Sequence, residues 1–201
     1  MIDSSKIAPG YSEAYKAFSN IIFGYNTDEI SIEVINEIPY ASALVKIGNG
    51  PRGLVILEEI SKNKFTWISA DEIYFVTMNG RIVRTAGLEN NLIDVTQPDI
   101  NSIIDELEYS QEYFYYYSYD FPELKNLELR AKIKFIKREE VRLLSGNREL
   151  RMFEESIESG VLGWKVKNLY WIDDSNFIWK SIQHISPLIP QIEIEITKKP
   201  S

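Results

Sequence analysis

Hydrophobic and polar residues alternate along most of the chain from about residue 30 onward. Short segments rich in Ile, Val, Tyr, Phe and Thr are separated by Gly, Asn, Pro or Asp, which is typical of strands with one buried face. The pattern predicts strands near 31–36, 41–47, 53–60, 64–69, 73–78, 81–85, 112–119, 127–137, 139–144, 148–157, 164–172, 177–185 and 191–197.

Two segments show helical spacing instead. An amphipathic N-terminal helix is predicted over 12–23, after a polar tether at 1–11. The segment 88–110 interrupts the strand pattern, and there Pro98-Asp99 begins a short middle helix through Leu107. Its apolar stripe is Ile100, Ile103, Ile104 and Leu107.

The fold class follows from the strand pattern. Asn79-Gly80 separates two strand segments by two residues, as a type I′ hairpin requires. About a dozen such segments predict a mainly β protein, in which an antiparallel curved sheet forms a sandwich or partial barrel. We expect residues 12–201 to form one β-rich domain.

Composition then narrows the functional classes. The chain has 201 residues, no Cys and one His, which excludes thiolate chemistry and multi-histidine metal sites within the chain. Its formal net charge of −8 argues against nucleic-acid binding, which favours a basic surface. No cofactor is predicted.

Motifs that resemble catalytic or cofactor sites have simpler explanations. Residues 48–53 match the G-x-G-x-x-G spelling, but a strand segment follows them, so a turn is favoured over a phosphate loop. His184 has no nucleophile motif beside it, which favours a structural or surface role. Adjacent carboxylates such as Glu154-Glu155 point to opposite faces of a strand, so no doublet is by itself a hydrolase pair.

An aromatic segment and two arginines are the remaining candidates. The run 113–119 suits either a glycan platform or a packed strand, and the packed strand is favoured. Arg81 and Arg84 have an odd separation, so one is expected to point inward, where an internal ion pair is the first expectation and anion binding the second.

Several blocks of the sequence resemble those of a known family. The most specific is the block at 79–88, NGRIVRTAGL, and others lie at 44–51, 66–71, 170–173 and 178–183. Together they resemble the YjbF/GfcB family of group 4 capsule polysaccharide lipoproteins, over about residues 15–198.

The resemblance implies an exported bacterial lipoprotein that faces the periplasm at the outer membrane. It also implies a β-rich fold, and it brings no established catalytic residues. The sequence departs from the family in having no lipobox and no lipidation Cys. We expect Met1 to replace the native start of a mature domain, with the Cys and a signal peptide in the full-length product.

The leading functional hypothesis is a non-enzymatic lipoprotein that assists exopolysaccharide or capsule production or export. It would bind outer-membrane export proteins, the exopolysaccharide, or both. The candidate contact residues are Trp67, Arg81, Arg84 and Tyr115. One alternative is a polysaccharide hydrolase or lyase, which needs facing carboxylates in a groove. A second is a lipid or lipoprotein carrier, which needs an apolar cavity.

Overall fold

Twelve antiparallel strands form one sheet in the computed structural model, which describes residues 30–106 and 111–200. The first six are β1 (Ser42–Ile47), β2 (Arg52–Ser61), β3 (Lys64–Ser69), β4 (Tyr74–Met78), β5 (Arg81–Ala86) and β6 (Leu92–Thr96). The others are β7 (Tyr113–Tyr119), β8 (Leu124–Leu143), β9 (Gly146–Ser159), β10 (Trp164–Ile172), β11 (Ile178–Gln183) and β12 (Ile192–Lys198).

The sheet curls back on itself into a nearly closed barrel. Its order is β5-β4-β3-β2-β1-β12-β11-β10-β9-β8-β7-β6, so consecutive strands β5 and β6 form its two edges. These edges meet where the Leu92 amide donates to Thr85 Oγ1 at 3.0 Å. The predicted fold, a mainly β protein with a curved antiparallel sheet as a partial barrel, is therefore confirmed.

The sheet buries its main core on the inner face. That core includes Trp67, Phe75, Tyr115, Leu129 and Ile157. Helix α1 (Ile32–Glu37) covers Leu44, Leu54 and Ile56, which alternate along their strands with inner-core residues. Helix α2 (Ile100–Asp105) packs three isoleucines against the inner-face residues of β8 to β11, among them Ile133 and Tyr170.

A glutamine side chain covers part of the β5 edge. Gln183 Oε1 accepts from the Ile82 amide at 2.9 Å, and its Nε2 donates to the Gly80 carbonyl at 2.9 Å. Five strands lie between β5 and β11 in the sheet order, so this contact crosses the interior. Gln183 replaces the main-chain partner that an edge strand lacks.

The Asn79-Gly80 hairpin is confirmed between β4 and β5. Asn79 and Gly80 have φ of 48° and 77°, the positive values of a type I′ turn. A Cβ added at Gly80 would lie 2.6 Å from Ile178 Cβ, so the hairpin tip packs directly on β11. The predicted turn at 48–53 is also confirmed, because it joins β1 to β2.

Three element predictions are wrong. Residues 31–36 were expected to form a strand, but α1 occupies this region, where Ile35 on the helix and Ile38 just after its end are buried in one cluster with Leu44. The predicted interruption at 88–110 contains the edge strand β6, whose only buried residue is Leu92. The segments 127–137 and 139–144 form one strand, β8, with a bulge between Phe135 and Lys137.

The middle helix is confirmed as α2. Asp99 caps it by accepting from the Asn101 amide at 3.1 Å, and Ile100, Ile103 and Ile104 are buried. Leu107, the predicted 12–23 helix and the 1–11 tether lie outside the described residues.

Candidate functional site

A buried ion pair crosses the interior of the sheet. Arg81 on β5 pairs with Glu155 on β9, and their side chains are 3% and 0% exposed. Seven strands lie between β5 and β9 in the sheet order. The internal ion pair expected for an inward arginine is therefore confirmed.

Neutral donors complete the surroundings of the Glu155 carboxylate. Tyr115 Oη donates to Oε1 at 2.8 Å, while Tyr170 Oη and Asn168 Nδ2 donate to Oε2 at 2.8 and 2.9 Å. Burial, the largest single effect, disfavours the charged form of Arg81, but its combined interactions with Glu155 and with Tyr115, Tyr170 and Tyr117 outweigh burial and raise the pKa of Arg81 well above its ordinary value. The network is satisfied and acts as a structural centre.

Three of the four sequence candidates lie inside the protein. Trp67, Arg81 and Tyr115 are 3%, 2% and 0% exposed, whereas Arg84 is exposed. Arg81 and Tyr115 come together, with the Arg81 guanidinium carbon 4.8 Å from the Tyr115 ring centre. In this structure their side chains are enclosed by protein, and Trp67 is the only one of the three that lines a surface cleft.

The aromatic strand is a packed element, as favoured from the sequence. Tyr115, Tyr117 and Tyr119 are buried, while Phe114 and Tyr116 on the other face are exposed. Tyr119 Oη donates to the Ile185 carbonyl at 2.8 Å.

A cleft with aromatic and amide side chains lies at one end of the sheet. Its volume is about 280 Å³, near the lower end of the roughly 300–1,000 Å³ of small-molecule sites. We call it the amide cleft. It is lined by Phe65, Trp67, Thr77, Asn79, Gly80, Asn101, Ser175, Asn176, Phe177, Ile178, Ile196, Lys199 and Pro200.

The hairpin and α2 form one side of the amide cleft. Asn79 Nδ2 donates to Asp99 Oδ1 at 2.8 Å, the same oxygen that caps Asn101. Arg81 Nη1 donates to the Pro98 carbonyl at 3.2 Å, just before the helix. The buried ion pair thus also positions the residues that supply Asn79 and Asn101.

The loop between β10 and β11 contributes Ser175, Asn176 and Phe177 to the amide cleft. Asp173 Oδ1 accepts from the Ser175 and Phe177 amides at 2.8 and 3.0 Å, and Oδ2 accepts from Trp179 Nε1 at 2.8 Å. Burial alone would raise the pKa of Asp173, but these hydrogen bonds lower it below its ordinary value. Asn176 Nδ2 donates to Asp105 Oδ1 at 3.1 Å, which joins this loop to α2.

The Asn101 side chain has a buried oxygen without a partner. Its Oδ1 is shielded from solvent and accepts no hydrogen bond from the described residues. A buried acceptor without a partner is costly, and Asn101 lies on the lining of the amide cleft. Asn101, Asn176 and Phe177 carry no sequence motif that would identify them as site residues, and Asn79 is recognisable from the sequence only as part of a turn.

The other candidate groups have structural partners. Glu154 and Glu155 point to opposite faces, as predicted, and Glu154 pairs with Lys134 and Lys167 outside. The backbone N–H of His184 donates to Asn168 Oδ1 at 2.7 Å, and burial lowers the pKa of the imidazole.

Within the described ranges, no carboxylate lines the amide cleft and no cluster of three His, Asp or Glu suits a metal ion. The helices of these same ranges include none long and apolar enough to cross a bilayer.

Comparison with known proteins gives one family match and two related lipoproteins. Residues 15–197 match the family described as group 4 capsule polysaccharide lipoprotein gfcB, YjbF. The uncharacterized lipoprotein YjbF of Escherichia coli K12 is 25% identical over 170 residues, covering 82% of this chain and 78% of its own. The uncharacterized lipoprotein GfcB of the same strain is 23% identical over 164 residues, covering 79% and 75%.

A solved structure shares the fold. The crystal structure of the hypothetical lipoprotein YmcC from Escherichia coli K12 has a TM-score of 0.75 and 22% sequence identity. The match covers 92% of this chain and 95% of that one.

The first prediction concerns the buried ion pair. Glu155→Gln removes the charge that compensates Arg81, and breaking a buried pair in this way costs about 3–5 kcal/mol in the free energy of unfolding. Urea unfolding followed by circular dichroism measures it. Glu123→Gln, which breaks the exposed Lys125–Glu123 pair, is the matched control and should leave stability nearly unchanged. Equal losses in both variants would contradict the structural role of Glu155.

The second prediction concerns alkaline pH. Burial raises the pKa of Tyr115, Tyr117, Tyr119 and Tyr170 above the ordinary value of about 10. The unfolded chain therefore releases these protons at lower pH than the folded protein. Their contribution to stability is complete below about pH 10 and is lost as pH rises toward the folded-state values.

Absorbance of phenolate at 295 nm measures this titration. Fewer phenols should ionise near pH 10 in the folded protein than in guanidinium, and the remainder should ionise together with unfolding. Identical titration curves in the two states would show that these rings are not buried.

Proposed function

The chain belongs to the family of group 4 capsule polysaccharide lipoproteins, and from that membership we propose that it assists exopolysaccharide or capsule production or export without itself catalysing a reaction. It acts from the periplasmic face of the outer membrane, held there by an N-terminal lipid, and contacts export proteins and the polysaccharide. The amide cleft is the proposed glycan site.

The chemistry of the amide cleft supports a sugar ligand. Phe65 and Phe177, both half-buried, present aromatic surface to the C–H faces of a sugar ring. Asn79, Asn101 and Asn176 supply amides, each able to donate and accept, as sugar hydroxyls require. The observation that carries the proposal is the unpartnered Asn101 Oδ1, which a hydroxyl donor would satisfy.

Binding fits this site better than cleavage does. Glycoside hydrolysis uses two carboxylates that flank the bond, and the described residues place none on the amide cleft. The interior that an acyl carrier would keep open is occupied by the buried core and the Arg81–Glu155 network. A binding protein is therefore the proposal that the side chains favour over the hydrolase and the lipid carrier.

The third prediction separates glycan binding from folding. Asn101→Ala removes an acceptor that no described residue uses and places a good helix former in α2, so the melting temperature should not fall. Affinity for oligosaccharides cut from the exopolysaccharide of the source cells should fall roughly fivefold, the value of about 1 kcal/mol for one hydrogen bond.

Isothermal titration calorimetry with these oligosaccharides measures the affinity, and thermal unfolding followed by circular dichroism measures the melting temperature. Asn147→Ala, an exposed asparagine on β9 away from the amide cleft, is the control and should bind as the native protein does. Unchanged affinity in Asn101→Ala, with native binding intact, would remove the amide cleft from the proposal.

The fourth prediction tests the cellular role. Deleting the gene should reduce or alter surface polysaccharide under inducing conditions, and a lipidated native copy should restore it. Asn101→Ala should restore less than Asn147→Ala at equal protein level, as measured by quantifying extracted surface polysaccharide. Unchanged polysaccharide in the deletion strain would contradict the proposed function itself.

A further inference from the structure

A groove with two cationic walls lies on the face of β8, β9 and β10 opposite the core. We define the basic groove by Arg130 and Lys132 on β8, Ser156 and Glu158 on β9, and Lys165 and Lys167 on β10. Its volume is about 580 Å³, the larger of the two clefts described for this molecule.

The strand register fixes the arrangement of charges. Lys132 and Lys167 both pair with Ser156, one from each side. Arg130 and Lys165 flank Glu158 in the same way. Alternate residues on a strand are about 7 Å apart and neighbouring strands about 5 Å, so two pairs of cations form parallel walls along β9.

This concentration of positive charge is unusual for the chain. The formal net charge is −8, yet four cationic side chains line the groove, against two lining carboxylates, Glu112 and Glu158, and Glu154 beside it. Three of these cations have carboxylate partners, in the pairs Lys132–Glu112, Lys165–Glu158 and Lys167–Glu154 at 3.6, 2.9 and 3.1 Å. Arg130 has no ion pair within 4 Å among the described residues, so it keeps a guanidinium free for a ligand.

We infer that the basic groove binds a linear acidic polysaccharide, whose carboxylate-bearing sugars run along β9 between the two walls. This rests on the proposed function. A concave groove with positive charge on both sides fits a chain that enters it better than it fits the flat surface of a bilayer.

The carboxylate of Glu158 gives the groove a testable asymmetry. Hydrogen bonding to Lys165 lowers the pKa of Glu158, so its charge stands between Arg130 and Lys165 at neutral pH. A polyanion in the groove is repelled by this charge. Removing it should therefore strengthen binding, while removing the cations should weaken it.

The test uses alginate oligomers, which are polyuronates, with neutral dextran as the comparison ligand. The native protein should bind alginate with an affinity that falls as salt is raised, and it should not bind dextran through this groove. The double variant Lys132→Gln/Lys167→Gln should lose roughly tenfold in alginate affinity at low salt, whereas Glu158→Gln should bind more tightly.

Two controls separate the loss of charge in the groove from a general loss of charge and from unfolding. Lys64→Gln removes the same kind of charge from an exposed position on β3, outside the groove, and should change affinity less than twofold. Lys132 and Lys167 are 58% and 63% exposed, so the double variant should fold normally, which circular dichroism verifies.

Two results would overturn the inference. One is alginate binding that is absent, or equal in the double variant and the native protein. The other is loss of binding by the double variant only to vesicles containing phosphatidylglycerol, which would assign the groove to a membrane surface. Either result leaves the gene-deletion phenotype to judge the proposed function separately.

Discussion

The ion pair between Arg81 and Glu155 is the interaction on which the closed form of the sheet depends. Two charges removed from water are expensive unless they meet each other and further hydrogen-bond partners. Here β5 must approach β9 across the interior for Arg81 to reach its carboxylate. Any opening of the sheet at this point would leave a buried charge without compensation.

That constraint extends from the interior to the amide cleft. Arg81 follows directly after the Asn79-Gly80 hairpin, and it also donates to the Pro98 carbonyl at the start of α2. Asn79 and Asn101 then share the Asp99 carboxylate oxygen. The buried charge thus helps to fix the Asn79 and Asn101 amides on one side of the amide cleft. Such preorganisation reduces the entropy cost of binding.

The two proposed glycan sites, the amide cleft and the basic groove, differ in their chemistry. The amide cleft offers aromatic rings and amides, and the basic groove offers cations spaced by the sheet register. A binding protein with one site for a sugar ring and another for a charged chain could hold a polymer without cutting it. This division agrees with membership of a capsule polysaccharide lipoprotein family.

Local patterns in the sequence predicted local structure well. Alternation in 127–137 identified most of β8, and Asn79-Gly80 identified its hairpin, because period and turn chemistry depend on neighbouring residues. Alternation failed at 31–36, where the same residues satisfy a helix that packs on Leu44. The odd separation of Arg81 and Arg84 predicted that one of them points inward, but it identified neither which one nor the partner 74 residues away.

The candidate site was harder to predict because it depends on distant segments meeting. Trp67, a candidate contact residue, is buried and lines the amide cleft. Asn101 and Asn176 carry no motif, and only the tertiary contact between α2 and the β10–β11 loop brings them together. Asn176 and Asp105, whose side chains make this contact, are 71 residues apart in the chain, so no local sequence pattern predicts it.

Chemical-shift mapping of the ¹⁵N-labelled protein tests the central claim most directly, namely that a preorganised amide cleft receives the glycan. Oligosaccharides from the exopolysaccharide of the source cells would be titrated in. The account predicts saturable shifts of the Asn79, Gly80, Asn101 and Asn176 signals, with little change in the signals of the Arg81–Glu155 network. Saturable binding that leaves all four cleft signals unmoved would contradict it.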